Sequence, residues 1–174
     1  MTAPSRVQYR FLPARTLLCA INHLRPARLD NFVNGASLAL PTVLTEQGLE
    51  QLGPVAIIYH SPVTEESDGP VEVCVPYQGE LSVPNGLTQH TDPEHREAFL
   101  PLTKREFMDS ALFGAARREV EQAARANGDV LGPLRRMDYG VWATRGEDEV
   151  VGELAVPMKW FNQLRPESRG RLFP

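Results

Sequence analysis

Two short stretches decide how this chain folds: Gly48-Leu49-Glu50-Gln51-Leu52-Gly53-Pro54-Val55 and Gly128-Asp129-Val130-Leu131-Gly132-Pro133-Leu134. In each, a glycine is followed within a few residues by Gly-Pro, and Gly-Pro opens a β-type run. The runs are Val55-Ala56-Ile57-Ile58-Tyr59-His60 and Leu134-Arg135-Arg136-Met137-Asp138-Tyr139-Gly140-Val141-Trp142. A turn rich in acid and glycine follows both, then a second run ending in Val-Pro: Val71-Glu72-Val73-Cys74-Val75-Pro76-Tyr77 and Gly152-Glu153-Leu154-Ala155-Val156-Pro157-Met158. Similarity repeated at a spacing of about 80 residues means that one structural unit occurs twice, and it governs how every single motif is read.

The segments before each Gly-Pro obey the same shift. Phe32, Val33, Ala36, Leu40, Val43 and Leu44 form one helical stripe, and Leu112, Phe113, Ala116, Val120, Ala123 and Ala124 repeat it. Pro41 is expected to kink or break the first helix, whereas the second runs from about Ser110 to Ala126 and is capped at Asn127-Gly128. Upstream, Leu12-Pro13-Ala14-Arg15 before Thr16-Leu17-Leu18-Cys19 matches Asp92-Pro93-Glu94-His95-Arg96 before Glu97-Ala98-Phe99-Leu100. Each half reads strand, helix, strand, strand. Neither half can cover its own sheet, so the two are expected to pair into one antiparallel sheet with two main helices. The fold class is α+β with pseudo-twofold symmetry. Residues 1–160 form a single domain of two repeats, about 6–82 and 83–160, and 161–174 form a C-terminal tail.

The 174 residues are 42% hydrophobic and 23% charged, with a net charge of −4 and two cysteines. No apolar run approaches the roughly 20 residues that span a bilayer, and the N-terminus lacks the apolar stretch of a secretory signal. A cytoplasmic protein without a membrane partner is expected. The acidic balance argues against direct nucleic-acid binding, which needs concentrated positive charge. A chain of about 150 residues buries roughly two thirds of its unfolded surface, so the fold needs neither a metal nor a disulfide.

Read in order, Leu12-Pro13-Ala14-Arg15, Gly53-Pro54-Val55-Ala56-Ile57-Ile58-Tyr59-His60, Val71-Glu72-Val73-Cys74-Val75-Pro76, His95-Arg96-Glu97-Ala98-Phe99 and Leu102-Thr103-Lys104 resemble the GyrI-like small-molecule-binding domains. Such domains also serve as effector-binding halves of multidrug-sensing transcription regulators. The resemblance covers about residues 6–160 and implies a groove between the halves for flat, cationic or aromatic molecules, with aromatic walls and an acid. It implies a stand-alone module here, because only a few residues precede the first strand, too few for a DNA-reading head. The family's acid and its tyrosine are expected at the positions of Arg136 and Asp138, so the charge pattern of the groove departs from the family's.

The candidate ligand-binding residues are Tyr59, Tyr77, Arg136, Asp138, Tyr139, Trp142 and Trp160. Aromatic rings beside paired strands can stack on a flat ligand, and the competing reading is that they pack the core. On a regular strand Tyr139 and Trp142 point to opposite faces, unless Gly140 introduces a bulge. Asp138 can supply the groove carboxylate or pair with Arg135 or Arg136. Glu72 and Glu153 occupy matching places and read as an exposed strand face. His90, Asp92, Glu94 and His95 read as a solvated loop entering a strand, because Pro93 interrupts them and their spacing suits no metal. Cys19 and Cys74 read as small buried hydrophobes. No cofactor or metal is expected. The function expected is capture or sensing of a hydrophobic or aromatic ligand, charged or neutral, in the groove. The alternatives are a hydrolase of cyclopropane-bearing or similarly reactive molecules, using a groove carboxylate, and a gyrase-inhibitor-like module with a protein partner.

Overall fold

A computed structural model describes residues 4–60 and 69–161. Most of the first acid- and glycine-rich turn, and the tail from residue 162 onward, lie outside the described residues. The first half contains β1 (Gln8–Leu12), β2 (Arg15–Leu24), α1 (Pro26–Glu46), β3 (Glu50–Gln51), β4 (Val55–Tyr59) and β5 (Gly69–Gln78). The second contains β6 (Thr88–Asp92), β7 (His95–Thr103), α2 (Lys104–Met108), α3 (Ser110–Asn127), β8 (Gly128–Val130), β9 (Arg135–Asp138), a 3-10 turn (Trp142–Thr144) and β10 (Val150–Trp160). The fold is α+β, with one antiparallel sheet in the order β1-β7-β10-β9-β4-β5-β2-β6; β3 adds to β5 and β8 to β10. The halves meet where β4 pairs with β9, with Ile57 opposite Arg136, and again where β1 pairs with β7 and β2 with β6.

Helix α1 begins with Pro26 in its first turn, where a missing N–H costs nothing. It runs through Pro41 without the break that the sequence allowed, because Leu40 and Leu44 on either side of the proline are locked into the core at 0% and 1% exposure. Helix α3 is capped by Asp109, whose carboxylate accepts from Ala111 N (2.9 Å) and Leu112 N (3.1 Å). Its buried stripe is Ala116, Val120 and Ala124. Gly128 does end the helix, but in extended backbone at φ −173°. Glycine is required there by packing: a Cβ would stand 2.2 Å from Lys159 O on β10. Between the strands and α3, Thr103 and Glu106 form a reciprocal capping box that starts α2.

Alternation along the strands divides the core into three clusters. Leu18, Val55, Ile57, Val71, Val73 and Val75 pack under α1, and Leu100, Leu102, Leu154, Val156 and Met158 under α3. The residues between them point to the opposite face, where Leu17, Cys19, Ala56, Ile58, Cys74, Met137 and Ala155 form a third cluster to which neither helix contributes.

That helix-free face is nonetheless buried, and the connections explain why. Strands β1 and β2 are six positions apart in the sheet, about 29 Å if the sheet were flat, yet only Pro13 and Ala14 join them, a link reaching about 11 Å. The same holds for β6 and β7, joined by Pro93 and Glu94. Leu12 pairs with His95 and Arg15 with Asp92, so both links lie at one corner. The sheet must curl until its ends meet there. A bidentate ion pair from Arg135 on β9 to Asp92 on β6, at 2.8 and 2.9 Å across four strand positions, requires the same curl. The helix-free face is therefore the inside of the sheet.

Candidate functional site

The inner face holds the buried charges of the protein. Among the described residues, Glu72, Asp92, His95, Glu97 and Glu153 are 0–7% exposed, and their strand parity directs all of them inward. This corrects two expectations. Glu72 and Glu153 do not form an exposed strand face, since each is enclosed by the curl. Asp92 and His95 are buried strand residues that pair across the closing corner instead of standing in a solvated loop.

A cleft of about 250 Å³ opens onto this face between the halves, lined by Arg10 and Leu12 of β1, Arg15, Leu52-Gly53-Pro54, Glu97, Met137, Tyr139 and Glu153. Its floor is built around two carboxylates from neighbouring strands. The Arg10 guanidinium donates to both: its Nε lies 2.7 Å from Glu97 Oε1, and a terminal nitrogen bonds Glu97 and Glu153. Arg10 also lies over the Phe99 ring, 4.1 Å from its centroid, which satisfies the planar cation from its face. The Tyr139 hydroxyl donates to Glu153 Oε2 at 2.5 Å. Behind Glu97, His95 donates from Nδ1 to Pro93 O (2.8 Å) and from Nε2 to Glu97 Oε2 (3.3 Å). Both ring nitrogens thus face acceptors, an arrangement that only the imidazolium satisfies.

The ionisation pattern follows from this geometry. Burial pushes the Glu97 carboxyl up, but the His95 hydrogen bond and the Arg10 charge outweigh it and hold it below its ordinary 4.5. Burial disfavours the His95 cation, yet Glu97, Pro93 O and Asp92 raise its pKa above 6.5. For Asp92 burial is again opposed, by the Arg135 fork first, and the net direction is down. Burial and the bond to Glu153 both push the Tyr139 phenol up. The cleft is thus a preformed ionic site in which Glu97 is held charged.

The other sequence candidates lie elsewhere. Arg136 and Trp142 meet on the helix side: Arg136 stacks 4.8 Å from the Phe107 centroid, and Phe107 lies 6.3 Å from the Trp142 ring, which Lys104 Nζ approaches at 5.2 Å. Asp138 closes the turn after β9 by accepting from Gly140 N at 2.8 Å, with Gly140 at φ 72°. Strand β9 stops there, so Tyr139 and Trp142 separate onto opposite sides of the sheet. Tyr59 is half-buried beside the α1 core and lines a second, helix-side cavity of about 170 Å³ with Arg117, Glu121, Arg125 and Leu134. Tyr77 is 3% exposed inside the α1 core. Trp160 packs under α3, edge-on to Tyr9 at 4.9 Å. Of the seven candidates only Tyr139 reaches the ionic cleft. Arg10 and Glu97 were missed because each sits in an alternating strand of ordinary appearance, and only the pairing of β1 with β7 brings Arg10 to its partners.

No protein-family model matches the sequence and no curated protein matches it. Solved structures do. The C-terminal domain of EcmrR superposes with a TM-score of 0.67 over 88% of this chain and 97% of that one, at 13% identity. The fold is the one these domains share. EcmrR in its complex with DNA matches with a TM-score of 0.70 at 12% identity over 88% of this chain, which spans 57% of that longer protein. SAV2435, solved bound to tetraphenylphosphonium, gives a TM-score of 0.58 at 11% identity over 91% of this chain and 97% of its own. A hydrolase from Listeria innocua gives 0.52 at 12% identity over 90% and 94%. At these identities the shared property is the fold. No helix among the described residues is long and apolar enough to cross a membrane.

Proposed function

We propose that this protein captures a small aromatic or hydrophobic cation in the cleft between its halves, with Glu97 and Glu153 as the counter-charge. The observation that carries this reading is Arg10. Two carboxylates at 0% and 2% exposure share one guanidinium, which comes from an edge strand and keeps its side chain 31% exposed. Arg10 is itself a planar delocalised cation, stacked on Phe99 and bonded to both acids, and it occupies the place such a ligand would take. Size supports the same reading, because drug-sized ligands fill pockets of about 300–1,000 Å³ and the cleft with Arg10 in place is smaller. An incoming cation would displace the guanidinium toward solvent, enlarging the cleft while leaving the acids neutralised. The tetraphenylphosphonium held by SAV2435 is a ligand of this chemical class.

Proton donation by Glu97 is disfavoured, because a general acid must carry a proton at neutral pH and His95 and Arg10 hold Glu97 ionised. Titration of tetraphenylphosphonium into the full chain by calorimetry tests the proposal, with Glu153→Gln expected to weaken binding at least about tenfold, or 1.4 kcal/mol. Failure of the unsubstituted protein to bind this and smaller aromatic cations, or equal binding by Glu153→Gln, would overturn it.

A further inference from the structure

The inner face carries a second polar centre that shares no residue with the ionic cleft. Glu72 on β5, 4% exposed, accepts from His60 Nε2 (2.9 Å) on one oxygen and from His90 Nε2 (2.8 Å) on the other. The Cys19 thiol lies beside the same carboxylate. Three adjacent strands bring these groups together. Cys19 of β2 pairs with Cys74 of β5, two residues from Glu72, and His90 of β6 pairs with Leu17 on the other side of β2. The Cys19 sulfur, a Glu72 oxygen and a His90 nitrogen lie within 4.8 Å of one another.

We propose that Cys19, Glu72, His90 and His60 form a binding site for a divalent cation of the zinc class. One thiolate, two imidazoles and a carboxylate are the donors that zinc takes in tetrahedral coordination, whereas magnesium and calcium take oxygen alone. Bond lengths of about 2.3 Å to sulfur and about 2.0–2.1 Å to nitrogen or oxygen place tetrahedral ligand atoms about 3.3–3.6 Å apart. The three atoms within 4.8 Å need only a small rotation of His90 to reach that spacing. His90 is free to make it, since its side chain is 46% exposed at the rim, while Cys19 and Glu72 form the buried base; His60, 40% exposed and 2.9 Å from the other Glu72 oxygen, would swing in as the fourth donor. The rim also provides the entry path. Binding moves the Cys19 proton to solvent and shifts each imidazole proton from Nε2 to Nδ1, so that the Nε2 lone pairs turn to the cation and Glu72 ligates through an oxygen the histidines have released. Cys74, 1% exposed, points its thiol toward Ala56 O at 3.8 Å and stays outside the set.

Cobalt(II) titration of the full chain tests this directly, because a tetrahedral thiolate site gives both ligand-field bands and a near-ultraviolet sulfur-to-cobalt charge-transfer band. One equivalent of cobalt is expected to produce both, and one equivalent of zinc to remove them. Cys19→Ser should abolish the charge-transfer band, and Cys74→Ser should leave it intact. His90→Ala, on an exposed position of an edge strand and therefore tolerated by the fold, should weaken zinc binding by tenfold or more. Absence of stoichiometric cobalt binding, a charge-transfer band that survives Cys19→Ser, or undiminished zinc affinity in His90→Ala would each overturn the site.

Discussion

Tyr139 donates its hydroxyl to Glu153 at 2.5 Å, joining the last residue before a glycine turn to the fourth residue of the eleven-residue strand β10. The contact leaves Glu153 with donors on both sides, Tyr139 from its own half and Arg10 from the other. Removing the hydroxyl in Tyr139→Phe is expected to cost about 1 kcal/mol, the typical net worth of a hydrogen bond, because the ring is partly exposed. Alkaline titration of tyrosinate absorbance reads the same bond. Of the four tyrosines, Tyr77 and Tyr139 should ionise above the ordinary value of 10, and the substitution should remove one of these two late steps.

Arg10→Ala separates the roles of the cleft. It strands two buried carboxylates, and a loss of about 2 kcal/mol is expected in denaturant unfolding, below the roughly 3–5 of a fully buried pair because Arg10 is 31% exposed. Affinity for an aromatic cation should rise, since the ligand no longer competes with an internal guanidinium. Weaker binding by the folded variant would show that Arg10 is part of the ligand's surroundings and not its stand-in.

Stability should pass through a maximum between about pH 5 and 6.5, read as melting temperature against pH. The folded-state values of Glu97, Asp92 and Glu72 are depressed, so their contribution is present above ordinary carboxylate values and is lost as pH falls through the lower folded values. His95 is raised, so its contribution is complete below 6.5 and is lost as pH rises through the higher folded value. In His95→Gln the alkaline decline should flatten while the acid limb persists.

Gly128→Ala should destabilise by about 3 kcal/mol or more, because the new methyl meets Lys159 O and Met158 in the β8–β10 pairing. Gly48→Ala, at φ +69° with open space around it, should cost only about 1 kcal/mol. Comparable losses at the two positions would mean that β8 is free to move away from β10.

Trp142→Ala is expected to leave cation binding unchanged and to lower stability modestly, because Trp142 packs on Phe107 and Lys104 on the helix side. A loss of affinity matching that of Glu153→Gln would move the binding site to that side of the sheet.

The sequence alone determined the repeated order of strands and helices, since an apolar stripe, a Gly-Pro turn and an alternating strand are local patterns whose periods survive in one dimension. It also determined the two helices under which Val73 and Leu154 are buried. It could not tell that α1 would continue past Pro41, because that continuity is held by Leu40 and Leu44 in the core and not by the helix itself. Only the tertiary structure decided which face of the sheet is inside. Glu72, Glu97 and Glu153 alternate with apolar residues just as solvent-facing acids do, and nothing local distinguishes them. The crossed pairing of β1 with β7 and β6 with β2, forced through two-residue links, curls the sheet and encloses those acids with Arg10, His95 and Arg135. The charge pattern that matters is therefore a product of closure, with partners 87 and 143 residues apart brought to a single guanidinium.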